Sequence, residues 1–204
     1  GGEVRVGLRI ARLELLVASG GEVLDTFQFD GRTDAAAGAW IDSKMHALGL
    51  KPALGAALPY SLPDHPTGGK PHELAMLGRE FGDLSRWFAG PAAALEEFRG
   101  KLIGLHPEPL LCWPHHFDIA TLVPFGESRT VGVGASPGDE FYPQPYFYVS
   151  PSPRFDGAAL PELPPPGRWH TDGFFGSVAT GEDILSLKDR GPALLAFVTG
   201  AFEI

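Results

Sequence analysis

The sequence contains a single cysteine, Cys112, among its 204 residues. One cysteine cannot form an internal disulfide, and the first residues show no basic segment followed by an apolar stretch and a cleavage site. No apolar run approaches the roughly 18 residues that read as a membrane-spanning helix, and the mean hydropathy is close to zero. We therefore expect a cytoplasmic protein that does not enter a membrane.

Basic residues are also scarce. Sixteen lysines and arginines stand against 25 aspartates and glutamates, which gives a formal net charge of −9. Such a chain repels phosphate backbones, so nucleic acid is not an expected partner. The sequence also lacks a G-x-G-x-x-G segment after a strand and a G-x-x-x-x-G-K segment, which argues against a nucleotide-binding fold. These observations leave the oligomeric state open.

The apolar pattern alternates between the two periods that are typical of strands and of helices. Segments of period two predict strands at 4–10, 23–29, 116–123, 129–135 and 145–150, and a last strand is expected within 169–179. The apolar phase shifts by one residue after residue 10, which predicts either one strand with a bulge over 4–17 or two strands with a tight join. Spacings of three and four residues predict helices at 35–48, 72–103 and 182–203. Gly90 and Pro91 predict an interruption within 72–103, and Thr180 with Asp183 resembles a capping box at the start of the last helix.

This order of elements predicts an α+β fold. Neither group of strands can bury two apolar faces alone, so we expect a single domain over residues 1–204 with helices packed on one face of the sheet. The antiparallel sheet is expected to be built from both ends of the chain. The proline- and glycine-rich stretch 51–71 is the one possible internal boundary.

Side chains that can act as nucleophiles, acids, bases or metal ligands are most concentrated between Cys112 and Asp118. His116 and Asp118 share one face of a predicted strand, and His170 lies further along the chain. Two histidines and one carboxylate are the ligands of non-heme iron(II) oxygenases, so His116, Asp118 and His170 are candidate ligands of a divalent metal. Alternatively, His116 and Asp118 bond to each other or to the backbone at the strand end. Because Asp118 stands in an apolar run, we expect it to be shielded and hydrogen-bonded.

A second pattern follows in the next two predicted strands. Gly132 and Gly134 leave one strand face without side chains, and Tyr146 and Tyr148 share a face of the neighbouring strand. Either the tyrosine rings fill this face, or a ligand occupies a slot against aromatic walls. The expected ligand-binding residues are Trp113, His116, Asp118, Tyr146, Tyr148 and His170.

Three classes of function are compatible with these patterns. Binding of a small molecule in the slot is the preferred hypothesis. The alternative is an enzyme that uses His116, Asp118 and His170 with a divalent metal or as acid and base. A structural or interaction subunit is the third possibility. The carboxylates Asp139 and Glu140, at a predicted turn, could serve as acid and base or hold a cation, but we interpret them as solvated charges.

The chain also resembles a bacterial family of uncharacterised proteins that share a domain of unknown function. The resemblance rests on the helix end 98–101, on the F-D-I-A segment 117–120, and on the Pro-Gly hairpin and tyrosines within 134–148. It implies no activity. Many relatives have Gly-Ser where His115 and His116 stand, which argues against a metal role for His116, and many carry an additional N-terminal segment.

Overall fold

The computed structural model describes residues 3–51, 66–114, 116–154 and 160–204. The chain divides into two compact units, Gly1–Trp87 (unit 1) and Phe88–Ile204 (unit 2). Their elements are β1 (Val4–Arg9), β2 (Glu14–Ser19), β3 (Glu22–Gln28), α1 (Asp34–Ala47), α2 (Gly78–Lys101), β4 (Leu111–Trp113), β5 (Asp118–Phe125), β6 (Arg129–Ser136), β7 (Tyr146–Ser152), β8 (Arg168–His170), β9 (Gly176–Thr180), α3 (Gly181–Leu185) and α4 (Arg190–Phe202).

Unit 1 holds a three-stranded antiparallel sheet in the order β1-β2-β3. The shift in apolar phase near residue 10 arises because a short 3-10 turn over Ile10–Arg12 separates β1 from β2. Val17 and Phe27 are buried on this sheet. The ring of Trp40 from α1 lies 5.7 Å from that of Phe27, so the apolar stripe of the helix contributes to the same small core.

Unit 2 is built on a six-stranded antiparallel sheet in the order β4-β5-β6-β7-β9-β8. Its two faces differ in chemistry because side chains alternate along each strand. One face carries Val133, Val149 and Ala179, which form a core with the helix residues Leu95 and Phe197. The opposite face carries the glycines of β6 and the tyrosines of β7. The pocket described below lies on this face.

α2 is continuous through Pro91, although Gly90 and Pro91 predicted an interruption there. Proline removes one hydrogen bond from a helix interior and its ring crowds the preceding turn. The buried side chains Leu95 and Phe98, each 1% exposed, anchor the part of the helix that follows. Burial of large apolar side chains, each worth about 1.5 to 3 kcal/mol, therefore offsets the local cost of the proline.

The predicted α+β class is confirmed, because the described residues form four α-helices and two antiparallel sheets. The strands form two separate hydrogen-bonded sheets, where we expected one sheet drawn from both ends of the chain. The reason is local: β1, β2 and β3 pair with one another through short connections. The boundary of the units falls inside α2, and most of the stretch 51–71 lies outside the described residues. A single domain over 1–204 stays a prediction.

In the part of the chain that the structure describes, no helix has the length and apolar character needed to cross a bilayer.

The sequence also predicted the start of α3, where Thr180 and Asp183 form a capping box. The Thr180 hydroxyl accepts a hydrogen bond from the Asp183 amide, and the Asp183 carboxylate accepts one from the Thr180 amide. Burial pushes the pKa of Asp183 upward, but hydrogen bonds from Thr180 and Arg168 outweigh burial and lower it.

Replacing Thr180 with alanine is expected to lower the free energy of unfolding by about 1 kcal/mol, because two amides at the helix start lose or weaken their acceptors. Thr180→Ser keeps the hydroxyl and serves as the control, with a much smaller loss. Chemical denaturation of the three proteins measures the difference. Equal stability of the alanine and serine variants would contradict the capping role.

Candidate functional site

Asp118 is placed by the tight turn between β4 and β5. The amide of Phe117 donates to the carbonyl of Trp113 over 2.8 Å, and Phe117 itself has a φ of 55°, which reverses the chain within a few residues. Asp118 then begins β5 directly opposite Trp113. Its side chain is only 6% exposed, as expected for a carboxylate within an apolar run.

Tyr148 reaches Asp118 from two strands away. Its hydroxyl donates a hydrogen bond to Oδ2 of Asp118, although β6 lies between β7 and β5. Neighbouring strands are about 4.8 Å apart, so the contact spans roughly 10 Å across the sheet. Gly134 makes this possible: a Cβ at that position would lie 2.5 Å from the Tyr148 hydroxyl oxygen. The ring therefore occupies the space that the glycine leaves, and this part of the face is filled by Tyr148.

Tyr146 forms a similar pair with the loop that follows β6. Its hydroxyl donates to Oδ2 of Asp139 over 2.5 Å. The other oxygen of Asp139 accepts the amides of Phe141 and Tyr142 at 2.9 and 3.1 Å. Gly138 precedes this turn with a φ of 125°, and a Cβ there would approach backbone atoms to 3.2 Å. Asp139 is thus a structural residue of the loop as well as the acceptor for Tyr146, and not a solvated charge as predicted.

A pocket of about 190 Å³ opens between these two pairs. Four of the predicted ligand-binding residues line it, namely His116, Asp118, Tyr146 and Tyr148. The other lining residues are Ser136, Asp139, Phe141, Ser150 and Phe174.

Burial and the neighbouring carboxylates keep both tyrosines protonated. Burial is the main cause of the raised pKa of Tyr148, and the charge and hydrogen bond of Asp118 add to it. Burial also raises the pKa of Tyr146, together with its hydrogen bond to Asp139. Each phenol is therefore a fixed hydrogen-bond donor to its carboxylate at neutral pH.

His170 stands outside the pocket lining and is held by other contacts. Its Nδ1 lies 2.9 Å from the Tyr142 hydroxyl, and its Nε2 contacts the carbonyl of Asp172. The ring stacks on Phe174 with a centroid distance of 4.0 Å. His170 therefore supports the aromatic wall of the pocket from behind, where we expected a direct ligand contact.

The proposed metal ligands do not form a metal-binding group. In residues 3–51, 66–114, 116–154 and 160–204, no three His, Cys, Asp or Glu side chains are grouped so that they could hold an ion. Both ring nitrogens of His170 and one oxygen of Asp118 are instead hydrogen-bonded to protein groups. The expected site of His116, Asp118 and His170 is thus not assembled.

Trp113 also does not line the pocket, although it faces Asp118 in the strand register. Five lining residues were not predicted as ligand contacts, namely Asp139, Phe141, Phe174, Ser136 and Ser150. The two serines could have been found, because the alternation of β6 and β7 places them on the face of Gly134 and Tyr148. The two phenylalanines lie in loops, where no periodicity indicates a direction.

A larger cavity of about 280 Å³ lies elsewhere in unit 2. Its walls include Phe125, Trp169 and Phe202, and the charged residues Arg129 and Glu203 also line it. It has no pair of tyrosine and carboxylate side chains comparable to those on the other face, so its residues offer less specific chemistry.

Scans of protein-family models, curated proteins and solved structures found no match to this chain.

Proposed function

We propose that this protein binds a small molecule in the pocket between Asp118 and Asp139. The observation that carries the proposal is the pair of partly buried tyrosine–aspartate hydrogen bonds at its edge. They hold the Tyr146 and Tyr148 rings in fixed orientations before any ligand arrives. A rigid set of polar groups and aromatic walls is typical of ligand sites, because little conformational entropy is then lost on binding.

The position of the pocket supports the same proposal. The helix-facing side of the sheet carries the apolar core, so the opposite side can hold polar side chains without loss of that core. Phe141 and Phe174 provide apolar walls beside the two carboxylates. The rings of Tyr146 and Phe174 are nearly parallel, with an interplanar angle of 22°. Flat apolar groups are therefore the best complement to these walls.

We also propose that the protein is cytoplasmic. Cys112 is exposed and free, which suits a reducing compartment. The resemblance to the bacterial family remains a prediction, as do the acid–base enzyme and the interaction subunit. Binding without catalysis is the simpler proposal. His116 is exposed at the rim of the pocket, and the two aspartates that line it already accept hydrogen bonds from the two tyrosines.

The proposal predicts that small aromatic fragments bind at this pocket. We expect fragments from a mixed panel of cationic, neutral and anionic compounds to shift the amide resonances of residues 136–150 in two-dimensional NMR spectra of labelled protein. Tyr146→Phe should weaken the binding several-fold, because it removes a hydroxyl that lines the pocket.

Tyr142→Phe is the matched control. It removes a tyrosine hydroxyl that bonds to His170 and does not line the pocket, so binding should be nearly unchanged. Absence of any shift in 136–150 with the whole panel, or equal losses in the two variants, would refute a ligand site at this place.

A further inference from the structure

Three of the four hydroxyl groups that line the pocket donate their protons to acceptors inside the protein. Tyr146 donates to Asp139 and Tyr148 donates to Asp118. Ser150 donates to the carbonyl of Phe175 over 2.8 Å. Each of these three hydroxyl protons is thus used inside the protein, and the oxygens present only lone pairs to a ligand. A ligand in contact with them must therefore supply the protons.

The charges of the pocket favour the same kind of ligand. Asp118 and Asp139 both line it, and no lysine or arginine stands among the described lining residues. The formal net charge of −9 for the whole chain adds a weak long-range attraction for cations. An anionic ligand would meet two carboxylates without a compensating lysine or arginine among the described lining residues, which is costly in a partly buried site.

The aromatic walls and the volume of the pocket limit which apolar group a positively charged ligand could carry. Phe141, Phe174 and Tyr146 present aromatic rings, which attract cations and pack against flat apolar groups. A cavity of about 150 Å³ can hold a benzene ring. The pocket, at about 190 Å³, has room for one ring and a short charged group. A bare metal ion is less suitable, because the described residues contain no group of three ligating side chains.

We propose that the pocket binds a small organic cation, with an ammonium or amidinium group directed at the carboxylates and hydroxyl oxygens and an apolar body against the aromatic rings. This inference rests on the proposed function and specifies its ligand class. The two carboxylates and the accepting hydroxyl oxygens favour a ligand that is positively charged and donates protons. The aromatic walls favour a flat apolar body.

Three probes of similar shape and different charge test the proposal on the unmodified protein. Benzylamine, which is protonated at pH 7, should bind at least about ten-fold more tightly than benzyl alcohol, since hydrogen bonds to charged groups are the stronger ones. Benzoate should not bind detectably. Affinities are measured by NMR titration of the resonances of residues 136–150, and added salt should weaken benzylamine alone.

Asp118→Asn supplies the second measurement. Asparagine keeps an acceptor for the Tyr148 hydroxyl but removes one charge, so benzylamine binding should fall by roughly ten-fold to a hundred-fold while benzyl alcohol changes little. Glu127→Gln, in the exposed turn at the far end of β5, removes the same charge away from the pocket. It should leave both affinities nearly unchanged.

The outcomes separate this inference from the proposed function. Equal binding of benzyl alcohol and benzylamine, or tighter binding of benzoate, at residues 136–150 would overturn the cation and leave a ligand site. An equal effect of Asp118→Asn and Glu127→Gln on benzylamine would overturn a direct role for the Asp118 charge. If no probe shifts these resonances while the protein remains folded, the cation inference fails, and the wider fragment panel decides the ligand site itself.

Discussion

Gly134→Ala is expected to lower the free energy of unfolding by about 2 to 3 kcal/mol, since atoms added to a tightly packed site force their neighbours to move. The new Cβ would lie 2.5 and 2.6 Å from Oη and Cζ of Tyr148 and 2.8 Å from the Cβ of Ala120. The Ala120 contact is with a buried strand residue that cannot withdraw. Tyr148 must therefore leave Asp118, and binding of benzylamine should be lost together with stability.

Gly132→Ala is the matched control on the same strand and the same face. Its Cβ would meet Leu122 at 3.6 Å and the carbonyl of Ser150 at 3.7 Å, which are ordinary contacts. We expect a change within about 0.5 kcal/mol, or a small gain because alanine restricts the unfolded chain. Thermal or chemical denaturation compares the two variants. Similar stabilities would show that Tyr148 does not depend on the bare backbone at Gly134.

Removal of the carboxylate in Asp118→Ala is expected to cost about 1 to 3 kcal/mol of stability, because the Tyr148 hydroxyl is left buried without its acceptor. Tyr148→Phe removes the donor to a buried carboxylate oxygen, so a loss of at least similar size is expected. The double variant should lose less stability than the sum of the two single losses, since the second change removes the group that the first left unsatisfied.

Denaturation curves of the four proteins give the coupling energy directly. We expect about 1 kcal/mol or more, the range of hydrogen bonds to charged groups. The pair Tyr142→Phe and Asp118→Ala serves as a control cycle, because the Tyr142 hydroxyl bonds to His170 and not to Asp118. Additive losses in the first cycle would mean that the bond between Tyr148 and Asp118 contributes nothing measurable to the folded state.

Much of unit 2 could be predicted because its strands follow the simple alternation of a half-buried sheet. The expected strands at 116–123, 129–135 and 145–150 correspond closely to β5, β6 and β7. The shielding of Asp118 also followed from its apolar neighbours and is confirmed. Of the two interpretations of the bare glycines, the structure favours filling at Gly134, where the tyrosine ring lies.

The remaining features depend on contacts that a linear pattern does not encode. Trp169 to Ala179 contains the two short strands β8 and β9, which pair with each other around Gly173, whose φ is 81°. The partner of His170 is Tyr142, 28 residues earlier, and nothing in their spacing indicates it. Asp139 looked like a surface carboxylate because its three hydrogen bonds come from a loop and from a strand that begins later.

The bond between Tyr148 and Asp118 also has a consequence for strand alignment. The two residues belong to β7 and β5, so the bond forms only when both are correctly paired with β6. A slip of β7 by one residue would turn Tyr148 toward the helices and bring Phe147 over the glycines. Phenylalanine has no hydroxyl for the carboxylate. A single hydrogen bond therefore discriminates the native register of three strands from its nearest misaligned competitors, whether or not a ligand is bound.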